Sequence, residues 1–379
     1  MKFVLIGPVY PYRGGIAHYT AMLAQALAKR CSQFHVVSFR RQYPSWLYPG
    51  KSDRDPSQEP LQVNAEYWLD PLYPWTWWQT AHRIADWKPD MVIFQWWTTF
   101  WAPAFAALAF LLRQRGMKIL FVIHNVMPHE PRLWDRWLAS LALQQGHLFL
   151  VQTAREKERL LTLLPQAQTI SLPLPLYNMF ANQRIPIDRA KQQLGLPINM
   201  PVVLFFGIIR PYKGLRFAIE ALAELRARGS IIHLLVVGEF WEDVMVYKQL
   251  IEQLGLSAQV KLENRYISNE EIALYFSAAD IFVAPYVGGT QSAAVKVALG
   301  FNLPVVISRA IISEELESDT VHRLYWVDPK DATALSEAIE RCLQENEENA
   351  PTLAPVAVHS SGSDEWEELV TAIEAATIV

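Results

Sequence analysis

Two glycines, Gly14 and Gly15, stand where an apolar run at Phe3–Ile6 gives way to a helical pattern that begins at Ile16. Glycines at a helix N-terminus let a ligand approach the backbone, and the free N–H groups there attract anions. The spacing is not G-x-G-x-x-G and no P-loop lysine follows, which argues against a nicotinamide enzyme and a P-loop NTPase. The loop therefore favours an anion site, with an unliganded glycine turn as the alternative.

A pair of cations, Arg210 and Lys213, follows a second apolar run at Val202–Phe206. They stand three residues apart, close to Gly207 and just before a helical pattern, so they could clamp a diphosphate. Such donors would also offset the charge on a departing nucleoside diphosphate. Two ordinary surface cations are the alternative interpretation.

Two further loops follow strand-like runs. Residues 285–295 pass through glycines into a helix of small residues with Ser292 as a candidate N-cap, where free amides could hold phosphate oxygens. A capped turn without a ligand is equally compatible with this loop. His124 ends the run that begins at Ile119 and is expected to point into a cleft. His129 and Glu130 are adjacent on a loop without an evident third ligand, so no metal site is predicted.

The elements that must position these loops form two series of alternating strands and helices, which predict two doubly wound parallel sheets. Strands are predicted at Phe3–Ile6, His35–Ser38, Met91–Phe94, Ile119–Ile123, Leu148–Val151, Val202–Phe206, Ile231–Val237, Val260–Glu263, Ile281–Ala284, Val305–Ser308 and Leu324–Val327. Helices are predicted at Ile16–Lys29, Thr76–Ala85, Pro103–Arg113, Trp134–Leu143, Ala154–Leu164, Asp188–Leu194, Leu215–Arg228, Asp243–Leu254, Asn269–Ala278, Ser292–Leu299, Ala332–Cys342 and Glu365–Ala376.

A proline-containing stretch, 172–200, separates the two series and is predicted to be a linker. We expect an α/β protein with Rossmann-like domains at 1–180 and 181–363, and a C-terminal helix at 364–379 that could pack back on the N-terminal domain. Ligands of such sheets bind outside the carboxyl ends of the strands, so the two domains are expected to face a central cleft.

Composition sets the class of protein. Of 379 residues, 51% are apolar and 19% charged, and two cysteines exclude a disulfide framework and suit a reducing cytoplasm. The longest apolar run, Trp101–Leu112, is too short to span a membrane. The first 180 residues carry 18 Lys and Arg against 11 Asp and Glu, while the rest carry 16 against 27. The basic half could favour a phosphorylated acceptor or an anionic membrane, or be merely solvated.

Taken together, the loops resemble the family-4 retaining glycosyltransferases of the GT-B fold, and the resemblance spans nearly the whole chain. It rests on the order and spacing of several motifs. These are Arg13-Gly14-Gly15, His124-Asn125 with Pro128-His129-Glu130, Gly207 through Gly214, Gly238-Glu239, Arg265-Tyr266, Tyr275 through Asp280, and Val327-x-Pro329-x-Asp331.

The resemblance implies a hexosyltransferase that takes a UDP or GDP sugar as donor substrate and uses neither a cofactor nor a metal. It implies same-face attack with retention, in which the leaving phosphate takes the acceptor's proton. The implied catalytic residues are His124, Arg210 and Lys213. The implied donor-binding residues are Gly14, Gly15, Gly207, Gly238, Glu239, Arg265, Tyr266, Thr290, Gln291, Ser292 and Ala293. The implied acceptor-side residues are His18, Asn125, Trp96, Trp97 and Glu130.

The sequence departs from the family at the third loop. The family often carries two glutamates there, one on the sugar and one on the ribose, where this chain has Gly288 and Lys296. Arg210 also stands two positions from the commonest arginine site. A nucleotide-sugar binding protein without transfer activity therefore remains an alternative. A non-hydrolysing sugar-nucleotide epimerase is another, with His129 and Glu130 as its catalytic groups.

The acceptor is expected on the N-terminal domain, where tryptophans are abundant. Trp96 and Trp97 follow a strand and are expected to face the cleft, where aromatic faces could stack on sugar rings. The segment Arg40–Leu61 interleaves basic and aromatic residues, which could dock a lipid-linked acceptor at the inner face of the membrane. We thus expect a cytoplasmic protein of polysaccharide or glycolipid synthesis, peripheral to the membrane, with no nucleic-acid partner.

Overall fold

The computed structural model of the chain describes residues 1–31, 33–128, 131–311, 313–349 and 361–378. The chain divides into two compact units. The first consists of Met1–Asp55, Pro60–Leu174 and Ser363–Val379, and the second consists of Pro56–Glu59 and Pro175–Gly362. Each unit is built on its own sheet.

The first unit contains a seven-stranded parallel sheet in the order β3-β2-β1-β4-β5-β6-β7. Its strands are β1 (Lys2–Ile6), β2 (Gln33–Phe39), β3 (Glu66–Leu69), β4 (Met91–Trp96), β5 (Lys118–Ile123), β6 (Leu148–Val151) and β7 (Thr169–Ser171). Its helices are α1 (Gly15–Arg30), α2 (Pro74–Trp87), α3 (Ala102–Arg113), α4 (Asp135–Leu143) and α5 (Ala154–Leu163).

The second unit contains a six-stranded parallel sheet in the order β10-β9-β8-β11-β12-β13. Its strands are β8 (Val202–Phe206), β9 (His233–Val237), β10 (Val260–Glu263), β11 (Ile281–Ala284), β12 (Val305–Ser308) and β13 (Leu324–Val327). Its helices are α6 (Ile187–Gln193), α7 (Leu215–Ala227), α8 (Val244–Gln253), α9 (Asn269–Ser277), α10 (Ala293–Gly300), α11 (Glu314–Ser318) and α12 (Ala332–Asn349). The chain closes with α13 (Ser361–Ile378).

The prediction of two parallel sheets with flanking helices is confirmed. The central strands read as continuous apolar runs because helices cover both faces of a parallel sheet, and β4 is buried along its whole length. Two strands were not predicted, β3 and β7. Both are short edge strands, and apart from the buried Leu69 their residues are exposed or half-buried, so they give no continuous apolar signal.

Helix ends follow local chemistry. The Thr153 hydroxyl accepts a hydrogen bond from the Glu156 amide at the start of α5, and Ser268 and Glu271 form a reciprocal capping box at the start of α9. α12 runs to Asn349, beyond the predicted end at Cys342. None of the described helices is long and apolar enough to cross a membrane.

The C-terminal helix α13 packs within the first unit. Trp366 is buried and its ring lies 5.1 Å from that of Tyr19 on α1. Further along, the Arg30 guanidinium donates to Glu374 at 2.9 Å. A helix that follows the second unit in sequence thus completes the first one.

Candidate active site

The loops after β8 and β9 are joined at the carboxyl edge of the second sheet. Gly207 N donates to Val237 O at 2.9 Å, and Ile209 N donates to Glu239 O at the same distance. Gly207 and Gly238 have φ values of +111° and +143°, and a Cβ on Gly238 would lie 2.0 Å from Gly207 O. Only glycine fits this crossing without displacing the backbone, which gives a structural reason for glycine at both positions.

Lys213 lies in a short turn, Pro211–Lys213, between β8 and α7. Its ammonium folds back over Gly207, since a Cβ built there would lie 2.7 Å from Nζ. Nζ also lies 5.4 Å from the centre of the Tyr286 ring, in the loop after β11. Burial lowers the pKa of Lys213, and the nearby Arg210 contributes to the same shift. A desolvated cation of this kind gains free energy when an anion joins it.

Arg210 belongs to the same turn and lies between two aromatic rings. Its guanidinium carbon is 5.8 Å from the centres of both Tyr212 and Trp241. Contacts of this kind with aromatic rings restrain the position of a guanidinium. The structure therefore brings Arg210 and Lys213 together at the carboxyl edge of β8.

The loop after β11 reaches the same edge. Val287 N donates to Tyr212 O at 2.8 Å, which ties this loop to the turn that carries Lys213. Ser292 caps α10, because its Oγ accepts from Val295 N at 3.3 Å and lies 3.0 Å from the Tyr286 hydroxyl. The start of α10 at Ala293 therefore lies beside the cation pair. Thr290 is buried and Gln291 half-buried.

Gly288 and Lys296 occupy different surroundings. A Cβ on Gly288 would meet no atom within 4 Å, whereas Lys296 is buried on α10. Neither supplies a carboxylate to the loop, so contacts that a glutamate would make to a sugar or ribose must come from other groups.

Arg265 and Glu239 lie at the carboxyl ends of β10 and β9. Arg265 is engaged by protein groups, because it donates to Glu263, to both oxygens of Glu271 and to the Tyr275 hydroxyl at 2.6–2.9 Å. This bidentate contact lowers the pKa of Glu271 to about 2. Arg265 therefore links the end of β10 to α9 at the carboxyl edge of the second sheet. Tyr266 beside it is half-buried, and Glu239 is buried.

In the first unit the glycine loop opens α1. Gly14 is its N-cap, and His18 N donates to Gly14 O at 3.1 Å. The segment 48–55 borders this loop: Arg13 N donates to Asp53 O at 3.1 Å, and Arg13 Nε donates to the Tyr48 hydroxyl at 3.2 Å. His18 Nε2 lies 3.9 Å from an Asp55 carboxylate oxygen. The segment 48–55 therefore borders the amides at the start of α1.

His124 follows β5 as predicted, but its ring is buried. Nε2 lies 2.6 Å from Gln95 Oε1, and the Tyr19 ring meets the imidazole edge-on at 4.7 Å. Burial lowers the pKa of His124 to about 3, so the ring is neutral at physiological pH. Gln95 and Tyr19 were missed in the sequence. A single glutamine within the apolar strand Met91–Trp96 was the available signal for Gln95.

Trp96 and Trp97, at the end of β4, lie in different surroundings. Trp96 was expected to face the cleft, but its ring is fully buried in the hydrophobic core between the sheet and its helices, so it cannot stack on an acceptor. It is the last residue of β4 rather than part of the loop that follows. Trp97 is half-buried and donates to the Tyr43 hydroxyl at 2.8 Å.

Asn125 is half-buried beside His124. Glu130 and His129 lie outside the described residues. Within the parts of the chain that the structure describes, no three His, Cys, Asp or Glu side chains gather as metal ligands would.

Both units match known families. Residues 14–174 match the family described as "Glycosyl transferase 4-like domain", and residues 200–345 match "Glycosyl transferases group 1". Among solved structures, Anabaena Alr3699/HepE in complex with UDP and glucose superposes with a TM-score of 0.72 at 16% identity, covering 99% of this chain and 100% of that one.

Two curated relatives align over shorter stretches. D-inositol 3-phosphate glycosyltransferase of Corynebacterium glutamicum is 28% identical over 127 residues, which cover 32% of this chain and 30% of that protein. GDP-mannose:glycolipid 4-beta-D-mannosyltransferase of Xanthomonas campestris pv. campestris is 24% identical over 221 residues, covering 56% of this chain and 57% of that protein. The chain thus spans less than two thirds of these relatives. With both of its units matched, the chain belongs to the group 1, GT4-like glycosyltransferases and has the GT-B fold.

Proposed function

We propose that this protein transfers a hexose-type sugar from a nucleotide-diphosphate sugar to a glycan or lipid-linked acceptor. The observation that carries the proposal is the cation pair of Arg210 and Lys213, which lies beside the capped start of α10. Guanidinium, ammonium and free amide groups at one edge of a parallel sheet are what a diphosphate requires.

The donor sugar would be held mainly by the second unit. Lys213 binds a phosphate oxygen, Arg210 pairs with the diphosphate, and the backbone from Thr290 to Ala293 donates to phosphate or sugar oxygens. Lys213 gains most from this contact, because its ammonium is desolvated and no carboxylate among the described residues pairs with it. In the first unit, the start of α1 at Gly14 and Gly15 is a further helix N-terminus of the kind that attracts anions.

In the reaction we propose, the bond from the anomeric carbon to the leaving phosphate oxygen breaks while the acceptor oxygen bonds to that carbon from the same face. The acceptor's proton passes to the departing phosphate oxygen, so no protein base is needed. Arg210 and Lys213 stabilise the charge that develops on the diphosphate, the task that a metal performs in other enzymes. His124 is neutral and can serve by hydrogen bonding and shape, but not as an acid.

The nucleotide is proposed to be uridine or guanosine diphosphate. The Anabaena structure holds UDP, and the name of the Xanthomonas relative specifies GDP-mannose and a glycolipid acceptor. We extend these chemistries to this chain as candidates and place the acceptor on the first unit, near His18, Asn125 and Trp97. Polysaccharide or glycolipid synthesis in the cytoplasm, in peripheral contact with an anionic membrane, fits this assignment.

A binding protein without transfer is the second candidate, and Gly288 and Lys296 are the observation that favours it. The experiment is a panel of UDP and GDP sugars offered to the purified protein, with release of nucleoside diphosphate and the anomer of the product measured. Transfer with retention, lost in Lys213→Ala and kept in Lys248→Ala at an exposed lysine of α8, supports the proposal. Tight nucleotide binding without turnover of any sugar would establish the binding protein instead.

A further inference from the structure

The helices α2, α3 and α4 pack side by side on one face of the first sheet and turn large apolar side chains outward. Trp75 and Trp78 project from α2, while Trp134 and Trp137 project from α4; each pair is three residues apart and so shares one helix face. Six side chains on this surface are between 48% and 99% exposed. We call them the aromatic face: Trp75, Trp78, Phe110, Leu133, Trp134 and Trp137.

Exposure on this scale is unusual because tryptophan is largely buried in most proteins. The two tryptophan pairs lie at the N-terminal ends of α2 and α4, where Trp134 is the N-cap residue of α4 and Trp78 is the fifth residue of α2. Helices that connect parallel strands run antiparallel to them, so both pairs lie at the edge where the strands end. That is the edge at which His124 follows β5. The two tryptophan pairs are therefore placed at the edge where an acceptor would be presented, while Phe110 extends the apolar surface along α3.

Basic side chains accompany the aromatic face. The Arg132 guanidinium lies 5.7 Å from the Trp134 ring, and Arg136 is exposed on α4 between the two tryptophans. Asp135 of α4 is buried and bonded to Thr99, so it does not expose a negative charge beside these arginines, and the exposed Arg83 and Arg113 lie towards the other ends of α2 and α3. Asp86, on α2, is the exposed acidic residue among these three helices.

We propose that the aromatic face docks on the surface of an anionic lipid bilayer, with its indole rings at the level of the headgroups and its arginines against lipid phosphates. This inference rests on the proposed function, in which the acceptor is lipid-linked. Indole has an apolar body and one polar N–H, which suits the membrane interface. A second copy of this chain fits less well, because a two-fold contact would bring the same arginines together.

This surface differs from the one expected from the sequence, the segment Arg40–Leu61. Several side chains of that segment are engaged within the protein: Tyr48 is bonded to Arg13 and the Arg54 guanidinium lies 4.7 Å from the Tyr12 ring, both beside the glycine loop, while Tyr43 is bonded to Trp97. The large apolar side chains that remain exposed in that segment are Trp46 and Leu47. They leave a smaller apolar surface than α2–α4.

The test is flotation of the full chain with phosphatidylcholine vesicles, with and without phosphatidylglycerol. We expect binding to the anionic vesicles that weakens with salt, falls at least tenfold in the Trp134→Ala/Trp137→Ala double variant, and falls by about fivefold for each arginine in Arg132→Gln/Arg136→Gln. Ile231→Ala, at an exposed apolar residue of the second unit, is the matched control and should bind as the wild type does. Equal melting temperatures would show that all variants fold.

Three results would overturn the proposal: no vesicle binding by the wild type, equal binding by the tryptophan variant, or a dimer in light scattering that this variant dissociates. Hydrolysis of a nucleotide sugar in the absence of lipid separates this proposal from the proposed function. It should be unchanged in the tryptophan variant. If the wild type binds vesicles but neither binds nor cleaves any nucleotide sugar, the proposed function fails while the docking surface stands.

Discussion

At the scale of single residues, the account depends on the charge of Lys213. Burial lowers its pKa, because the protein around the ammonium supplies too little counter-charge to replace the lost water. A diphosphate supplies that charge, which raises the pKa again and should draw a proton from solution on binding. The guanidinium carbon of Arg210 lies 5.8 Å from the ring centres of both Tyr212 and Trp241, and it adds a second positive group to the same turn.

The first prediction concerns pH. Nucleoside diphosphate affinity should fall as the pH rises towards the pKa of free lysine, because Lys213 loses its proton before an exposed lysine does. Calorimetry in buffers of different ionisation enthalpy should detect the proton uptake, and Lys213→Arg should bind without it. Equal uptake by the wild type and the arginine variant would assign the titration to another group.

The second prediction concerns Gly207. Gly207→Ala forces a Cβ into backbone with φ +111° and within 2.7 Å of Lys213 Nζ, so it should displace the ammonium and lower the free energy of unfolding by about 1–3 kcal/mol. Donor affinity should fall with it. Gly288→Ala, where a Cβ meets open space, is the control and should be close to neutral in chemical denaturation. Wild-type affinity in Gly207→Ala would show that Lys213 does not need this position.

The third prediction concerns His124. Its folded pKa of about 3 lies below the value of about 6.5 for an unfolded chain, so below that pH the unfolded state takes up a proton that the folded state refuses. The free energy of unfolding should therefore decrease as the pH falls from about 6.5. Urea denaturation of the wild type and of His124→Gln at several pH values measures this, and the variant should show the shallower slope.

At the scale of elements, α13 links the chain's end to the candidate site. Trp366 packs on Tyr19, and Tyr19 meets the edge of His124. The helix thereby fixes the surroundings of a residue that is remote from it in sequence. Gln95 on β4 holds the other side of the imidazole.

The fourth prediction follows from that contact. Trp366→Ala removes a buried ring and should lower the free energy of unfolding by about 3–5 kcal/mol, with a smaller loss for Trp366→Phe. Denaturant titration measures both, and the amide exchange of α1 around Tyr19 should increase. If Trp366→Ala were as stable as the wild type, α13 would not be an integral part of the first unit.

At the scale of the whole molecule, both sheets could be predicted from the sequence because each central strand is a continuous apolar run. The loops that carry Arg210, Lys213 and Ser292 followed from that, since parallel strands end at a common edge. Contacts between residues distant in sequence could not be predicted. The pairing of Gln95 with His124, the stacking of Trp241 on Arg210 and the burial of Trp96 depend on packing rather than on local pattern.

Positive and negative residues are unevenly distributed between the two halves of the chain. The basic first 180 residues contain the arginines near the aromatic face, while the acidic remainder places two of its 16 Lys and Arg residues together at the Arg210–Lys213 turn. A positive site within an otherwise acidic unit indicates local recognition of an anion rather than general attraction.

The most direct test of the central claim is calorimetric titration of the purified protein with UDP and with GDP, alongside the Lys213→Ala and Lys248→Ala variants. The account predicts that one nucleotide binds the wild type and Lys248→Ala equally, and that Lys213→Ala loses at least tenfold in affinity, since a charged hydrogen bond is worth about 1.5–3 kcal/mol. Equal affinity in Lys213→Ala, or no binding of either nucleotide to the wild type, would contradict the claim that this turn holds the diphosphate.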